Sequence, residues 1–349
     1  MEDIRIYQFY SDASVPPKLL HIEHDIISSN WTVQYNAVGT FEAHFSLNSD
    51  IVPVIMQNEY LIAVQGDKQA ILTGKQVSSD FAVFGKTLNW LLTRRTTAKF
   101  LQRTGSPEEL AKQIAQEAFY PADNERAFER VTNFEYLISA SSGMTIDFWR
   151  NTQNDTEKVV SECLDHANLG HRISLDIKRN KWVFEIIQGS ALPLIISDSN
   201  RNAYDSEFTE DLQDYYTCGW FEADAPKSET QSDSSGTTEE TPSTTEDTSS
   251  TIWTFLPGDD PKSGIYCWEG VLSGRSESEA VSDLAKKSAI DQKIQANTRG
   301  LVLGKDYQLG DLVKFQFSAG SYLVTAEKRI TGVNIWYENN NIGEQPVLA

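Results

Sequence analysis

In the stretch TFEAHFSL, residues 40–47, Phe41, Ala43, Phe45 and Leu47 alternate with Glu42, His44 and Ser46. Successive side chains of a strand point to opposite faces, so one apolar set at a period of two predicts a strand that is buried on one side only. A helix would scatter these residues around its circumference. The same alternation recurs in RIYQFY near the start and in WTVQYNA from Trp31. EYLIAVQGDKQAILTGKQV reads as a hairpin with its turn at Gly66-Asp67-Lys68. Residues 1 to about 100 therefore hold many short strands at close spacing, the pattern of a small barrel or sandwich. They end in the apolar run TLNWLLTRRT, residues 87–96.

Helical periodicity appears only after this region. In SPEELAKQIAQEAF, Ser106 is the predicted N-cap, Pro107 the first helical residue and Glu109 the partner of a capping box. Leu110, Ala111, Ile114 and Ala118 form its apolar stripe. DTEKVVSECLDHANLG predicts a second helix, capped by Asp155, striped by Val160, Leu164 and Ala167, and ended by Gly170. A hairpin follows, with Ile173, Leu175 and Ile177 facing Trp182, Phe184 and Ile186 across a turn near Arg179-Asn180. Two helices on a hairpin make a small α+β unit over about 104–203. From 204 the chain returns to strands, interrupted by one helix in SESEAVSDLAKKSA with a capping box Ser276 to Glu279 and a stripe of Ala280, Leu284 and Ala285.

Composition separates these parts further. Residues 224–251 are dominated by Ser and Thr and carry seven acidic residues against one Lys. Such a tract cannot bury enough apolar surface to offset its ordering entropy and is predicted to be disordered. It lies between two strand-like segments, YYTCGWFEA and TIWTFLP, a placement that favours a long loop inside one domain over the alternative, a linker between domains. A length of 349 residues predicts two or three domains. No run of 18 apolar residues predicts a membrane span, and MEDIRIYQFY lacks the basic-then-apolar form of a signal peptide. The net charge of −20 argues against tight binding to a phosphate backbone.

Chemistry-bearing patterns are sparse. His21, Glu23 and His24 share a strand-like stretch, where His21 and His24 would point to opposite faces. Cys163 and His166 share a helical face, with His171 just beyond, but no second ligand pair completes a tetrahedral site. A Cys163–His166 nucleophile pair would lack an orienting third group and places the thiol beside an apolar stripe. Cys163, Cys218 and Cys267 form no CxxC motif and read as reduced thiols of a protein folded in a cytoplasm. No GxSxG, SxxK, HExxH, P-loop or GxGxxG occurs. Asp306 and Asp311 supply two carboxylates where calcium takes six to eight oxygens. The sequence thus nominates no catalytic, cofactor-binding or metal-binding residue and gives an enzyme nothing to stand on. The tryptophans (Trp31, Trp90, Trp149, Trp182, Trp220, Trp253, Trp268 and Trp336) fit core or subunit-interface packing.

The order of parts resembles the tail-hub proteins of long-tailed bacteriophages, the siphovirus tail-hub and tail-associated lysin scaffolds. The resemblance rests on IRIYQFY leading to VGTFEAHFSLNSD and NEYLIAV with AILTGKQVS, on LNWLLTRRT, on SEFTEDLQDYYTCGWFEA, and on GKDYQLGDLVKFQ with RITGVN. It implies an α+β, mainly β fold of two small tube-type β-barrels with an inserted α/β domain. The expected bounds are 1–103 for the first barrel, 104–203 for the insertion, and 204–349 for the second barrel with its acidic loop at 224–251. It implies a homotrimer whose six barrels ring a channel, adapting a sixfold tail tube to a threefold tip while DNA passes without specific binding. Expected partners are a distal tail protein or the tube on one side and a fibre, spike or lysin module on the other. The implied location is the virion tail tip, after synthesis in the host cytoplasm. No enzymatic extension follows NNNIGEQPVLA, which argues against lytic activity. A receptor- or carbohydrate-binding tail-tip protein, or a cell-wall hydrolase, are the competing readings.

LGKDYQLGDLV, residues 303–313, fits the same picture as a structural corner. Gly304 and Gly310 suit positive φ, Asp306 suits an Asx-type turn, and Gly310-Asp311 leads into a strand from Leu312 to Phe317.

Overall fold

The computed structural model describes residues 2–10, 12, 14–97, 101–150, 155–224, 251–259, 262–273, 277–338 and 341–349. The expected disorder of 224–251 and the Ser276 cap therefore lie, the loop's two end residues aside, outside the described residues. The fold is mostly β, with 49% of residues in strands and 18% in helices. Two compact units emerge, one made of Met1–Phe208 with Ile294–Ala349 and the other of Thr209–Lys293.

The larger unit is built on one extended sheet. Its strands run in the spatial order Ala203–Asp211, Asp291–Thr298, Asn341–Leu348, Tyr322–Glu338, Ile26–Gln34, Thr40–Phe45, Phe81–Thr87, Lys68–Val77, Leu61–Gln65, Ile4–Gln8 and Lys18–Glu23. Leu312–Ala319 branches from Tyr322–Glu338 and pairs in parallel with Ala191–Ser197. The central junction joins the two ends of the sequence. Ser28–Gln34 lies antiparallel to Gly332–Glu338, with Trp31 opposite Ile335.

The alternation in Thr40–Phe45 decides which side is buried. Phe41, Ala43 and Phe45 are buried while Thr40 is exposed. Leu47, expected on the same face, is exposed because the strand ends at Phe45. Ile4, Ile6, Trp31, Phe81 and Val83 join that face, and Val313, Phe315, Ile330, Val333 and Leu348 extend the same core into the C-terminal strands. The hairpin turn is two residues, Gly66-Asp67, with Gln65 paired to Lys68 and Gly66 at φ +62°.

Besides the single helical turn Trp90–Thr93 near its end, one helix interrupts the strand-rich start. Ile51–Gln57 (IVPVIMQ) packs Ile51 and Ile55, four residues apart, into the core. Pro53 sits in the first turn, where its missing N–H is not needed.

A second core lies under the helical part of this unit. Helix Pro107–Phe119 starts as its sequence predicts, with Ser106 Oγ accepting from the Glu109 amide, and buries Leu110, Ala111, Ile114 and Ala118. Helix Thr156–Asp165 is capped by Asp155, which accepts from the Glu157 and Lys158 amides. Asn168, not Gly170, turns the chain out of this helix, at φ +52°, and Gly170 already begins the strand Gly170–Asp176. Asparagine tolerates the left-handed conformation that a helix C-terminus needs. Gly170–Asp176 pairs antiparallel with Lys181–Ile187, which pairs in parallel with Phe134–Ile138. Ile177 lies beyond the strand end.

The smaller unit is a three-stranded sheet backed by a helix. Cys218–Asp224 is central, antiparallel to Thr251–Pro257 and parallel to Glu269–Val271. Phe221, Leu256 and Leu272 pack on Ala280 and Leu284 of helix Glu277–Lys287. Ala285, placed by its spacing on the buried stripe, is exposed.

Candidate assembly surface

The period-two rule that buries one face of the small sheet sends its other face outward. Trp220 is opposite Phe255 on one side and Val271 on the other, and Trp253 follows two residues before Phe255. All four point away from Phe221 and its helix, and they are 41%, 42%, 66% and 51% exposed for Trp220, Phe255, Val271 and Trp253. The Trp220 and Phe255 rings lie 5.1 Å apart between centroids. Ile265 and Tyr266, on the 3₁₀ turn that precedes Glu269–Val271, are exposed as well. Together they form an exposed aromatic patch on the outer face of the small sheet, of the composition found at contact surfaces.

The sequence-nominated polar residues serve the fold. His21 Nε2 is 3.4 Å from Glu23 Oε2, while His24 Nδ1 pairs with Asp3 at 2.8 Å. Cys163 is fully buried and its thiol lies 3.4 Å from the Pro107 carbonyl. His166 meets the Phe148 ring edge-on. Asp306 accepts from the Val302 amide at 2.9 Å, closing the turn. Asp311 is buried, and its two oxygens accept from the Ser190 and Gln308 amides, each at 2.7 Å. Carboxylates committed to backbone amides are corner fittings, and φ values of +86° at Gly304 and +88° at Gly310 match that use. A Cβ at Gly310 would come within 2.2 Å of the Tyr35 ring.

Two buried polar nodes fix the larger unit internally; His171 and Trp31 were named from the sequence, but not for these roles. Trp31 Nε1 and Ser29 Oγ donate to Gln65 Oε1 at 2.7 and 3.0 Å, and Gln65 Nε2 donates to the Glu2 carbonyl at 3.0 Å. In the other, Asn36 Nδ2 donates to the Ser161 carbonyl and to Asp165, which leaves Asn36 Oδ1 to accept from His171 Nδ1 at 2.8 Å. His171 is thereby fixed as the Nδ1–H tautomer. Among the described residues its Nε2 has no hydrogen-bond partner, and it lies 3.8 Å from Glu157. Burial pushes His171 down to about 4 and Glu157 up to about 7.

Among the described residues no helix is long and apolar enough to cross a membrane. A comparison with curated protein sequences finds no match. Solved structures do match over nearly the whole chain. The 43 kDa tail protein of prophage MuSo2 from Shewanella oneidensis is 11% identical with a TM-score of 0.61, covering 100% of this chain and 98% of that one. Prophage tail protein gp18 from Listeria monocytogenes is 12% identical with a TM-score of 0.58, covering 99% and 94%. A tail protein from Neisseria meningitidis is 11% identical with a TM-score of 0.56, covering 99% and 95%. These likenesses establish a shared fold. The model of the siphovirus ReqiPepy6 Gp37-like proteins matches residues 17–253, about two thirds of the sequence. With the tail-protein fold on one side and that match on the other, the chain belongs to the siphovirus ReqiPepy6 Gp37-like family of phage tail proteins.

Proposed function

We propose that this structural tail protein is a tail hub, in which three copies build a ring that joins the sixfold tail tube to the threefold tip and lets DNA through. The observation that carries this reading is the junction of Ile26–Gln34 with Tyr322–Glu338, which hydrogen-bonds strands from the two strand-rich regions into one sheet of the larger unit. Each region supplies one small tube-type barrel. We assign the first to 1–103 and the second to 204–349, with the α+β insertion at 104–203 and Ala191–Ser197 pairing onto the second. A hub needs stiffness across its subunits, and a continuous hydrogen-bonded sheet supplies it.

The partners on this reading are two further copies, a distal tail protein or the tube, and a fibre, spike or lysin module. The protein is made in the host cytoplasm and works at the virion tail tip without catalysis. A net charge of −20 keeps the ring from holding the DNA that passes it. The outward aromatic face of the small unit is the surface we assign to contact with a neighbouring copy. Sedimentation and native mass spectrometry of the purified chain should show a trimer, and images of the tail tip should show a threefold ring with an open channel. A chain that stays monomeric alone and with its tail neighbours overturns the reading.

The exposed Trp220, Trp253 and Tyr266 also favour a second reading, a carbohydrate-binding tip, because aromatic faces stack on sugars. A monomer that binds defined glycans through these side chains would select it.

A further inference from the structure

Cys218 and Cys267 are 49 residues apart, and the smaller unit folds them together. The parallel register sets Cys218 beside Glu269, so Cys267, two residues earlier, arrives next to Cys218. A tight approach controls the arrival. Gly264 takes φ +62°, the 3₁₀ turn Gly264–Tyr266 follows, and the Cys267 amide donates to the Gly264 carbonyl at 3.1 Å. Beside the thiols the two chains are clamped. The Thr217 amide donates to the Trp268 carbonyl at 2.8 Å, and the Trp268 amide donates to Thr217 Oγ1 at 3.0 Å. Gly270 holds the parallel strand close, since a Cβ there would lie 2.6 Å from the Tyr216 ring.

The result is a convergence of donor atoms. The two Sγ atoms are 3.4 Å apart, and a Glu269 carboxylate oxygen lies within 4.8 Å of both. Among the described residues this is the one group of three such ligand atoms. A disulfide would bring the sulfurs to about 2.05 Å. A tetrahedral ion with metal–sulfur bonds of about 2.3 Å holds two thiolates roughly 3.8 Å apart. The observed spacing is close to the second figure. Cys218 is buried, Cys267 half-buried and Glu269 exposed, so the sulfurs sit inside and the carboxylate stands at the mouth, where an ion enters.

We propose that Cys218, Cys267 and Glu269 form a binding site for a thiophilic divalent cation of the zinc class, with the fourth position open to water. On binding, each thiol releases its proton to solvent and its sulfur donates a lone pair to the ion, while the Glu269 oxygen supplies the third bond. Burial, and then the adjoining Cys267 thiol, push the Cys218 thiol up. A bound dication reverses that balance. Neither cysteine is part of a sequence motif, because the site is assembled across a parallel strand pair and not along one loop.

The test is a cobalt(II) titration of the full chain, reduced and stripped with a chelator, read by the thiolate-to-cobalt charge-transfer absorption. One equivalent should produce the band, and zinc should erase it by displacement. C218S and C267S should each lose the band, with circular dichroism reporting whether each is folded, while C163S keeps it. E269Q, at an exposed position, should weaken zinc binding by about tenfold or more. Absence of the band in the reduced chain overturns the proposal. So does a band that survives both C218S and C267S, or a Cys218–Cys267 disulfide recovered by peptide mapping from freshly isolated protein.

Discussion

His171 and Glu157 face each other across 3.8 Å in a buried site, each in the protonation state that water disfavours between about pH 4.5 and 6.5. Burial keeps the imidazole neutral down to about 4 and the carboxyl protonated up to about 7. In that window the unfolded chain carries the proton on histidine and the folded chain carries it on glutamate. The proton count is the same, so the pair contributes almost no pH dependence there.

Removing one member exposes the other. In wild type the raised Glu157 binds a proton that the unfolded chain has lost, so its share of stability falls as pH rises from about 4.5 to 7. Glu157→Gln lacks that fall. Urea unfolding at about pH 5 and about pH 8 should show the variant gaining on wild type by roughly 2–3 kcal/mol as pH rises, from about 1.4 kcal/mol per pKa unit. An unchanged difference at the two values would mean that the carboxyl titrates normally.

Gly310 and Gly304 share a left-handed conformation but differ in surroundings. A Cβ at Gly304 meets nothing within 4 Å, whereas one at Gly310 strikes the Tyr35 ring. That ring cannot swing aside freely, because its hydroxyl is held by the Asn168 and Ile187 carbonyls, each at 3.1 Å. Gly304→Ala should cost about 1 kcal/mol, and Gly310→Ala about 3 kcal/mol or more. Denaturant midpoints of the two variants measure the gap, and equal losses would deny the packing role of Tyr35.

Among the described residues, Gln65 Oε1 is the one acceptor given to the fully buried Trp31 indole N–H. Gln65→Leu keeps the bulk but strands that N–H, the Ser29 hydroxyl and the Glu2 carbonyl. A loss of about 2–4 kcal/mol is expected from unfolding curves. A loss under about 1 kcal/mol would show that water or a shifted side chain takes over.

Trp220 and Trp253 test the assembly reading. Both are about half exposed and outside the small core, so the double variant Trp220→Ser, Trp253→Ser should stay within about 1 kcal/mol of wild-type stability. Sedimentation velocity should nevertheless show the trimer shifted toward monomer. A variant that assembles like wild type removes this face from the interface.

The sequence was most legible where structure is local. Ser106 and Asp155 announce their helices because a cap and its amide partner are two or three residues apart. Phe41, Ala43 and Phe45 are legible because burial repeats every second residue. The helix Ile51–Gln57 was not, since its β-branched residues favour strands over helices and only tertiary packing of Ile51 and Ile55 decides otherwise. Asn168 was hidden by the more obvious Gly170 beyond it. The aromatic face and the Cys218–Cys267 approach depend on pairings across dozens of residues, which no single-segment pattern carries.

The bond between Thr32 Oγ1 and Asn334 spans 302 residues of chain. A ribosome exposes Trp31's strand long before Tyr322–Glu338 exists, so the nascent chain carries an unsatisfied edge while the residues between them are made. An edge left open that long is a place where other chains can pair, and a chain interrupted before Tyr322 keeps a sticky margin in place of a seam.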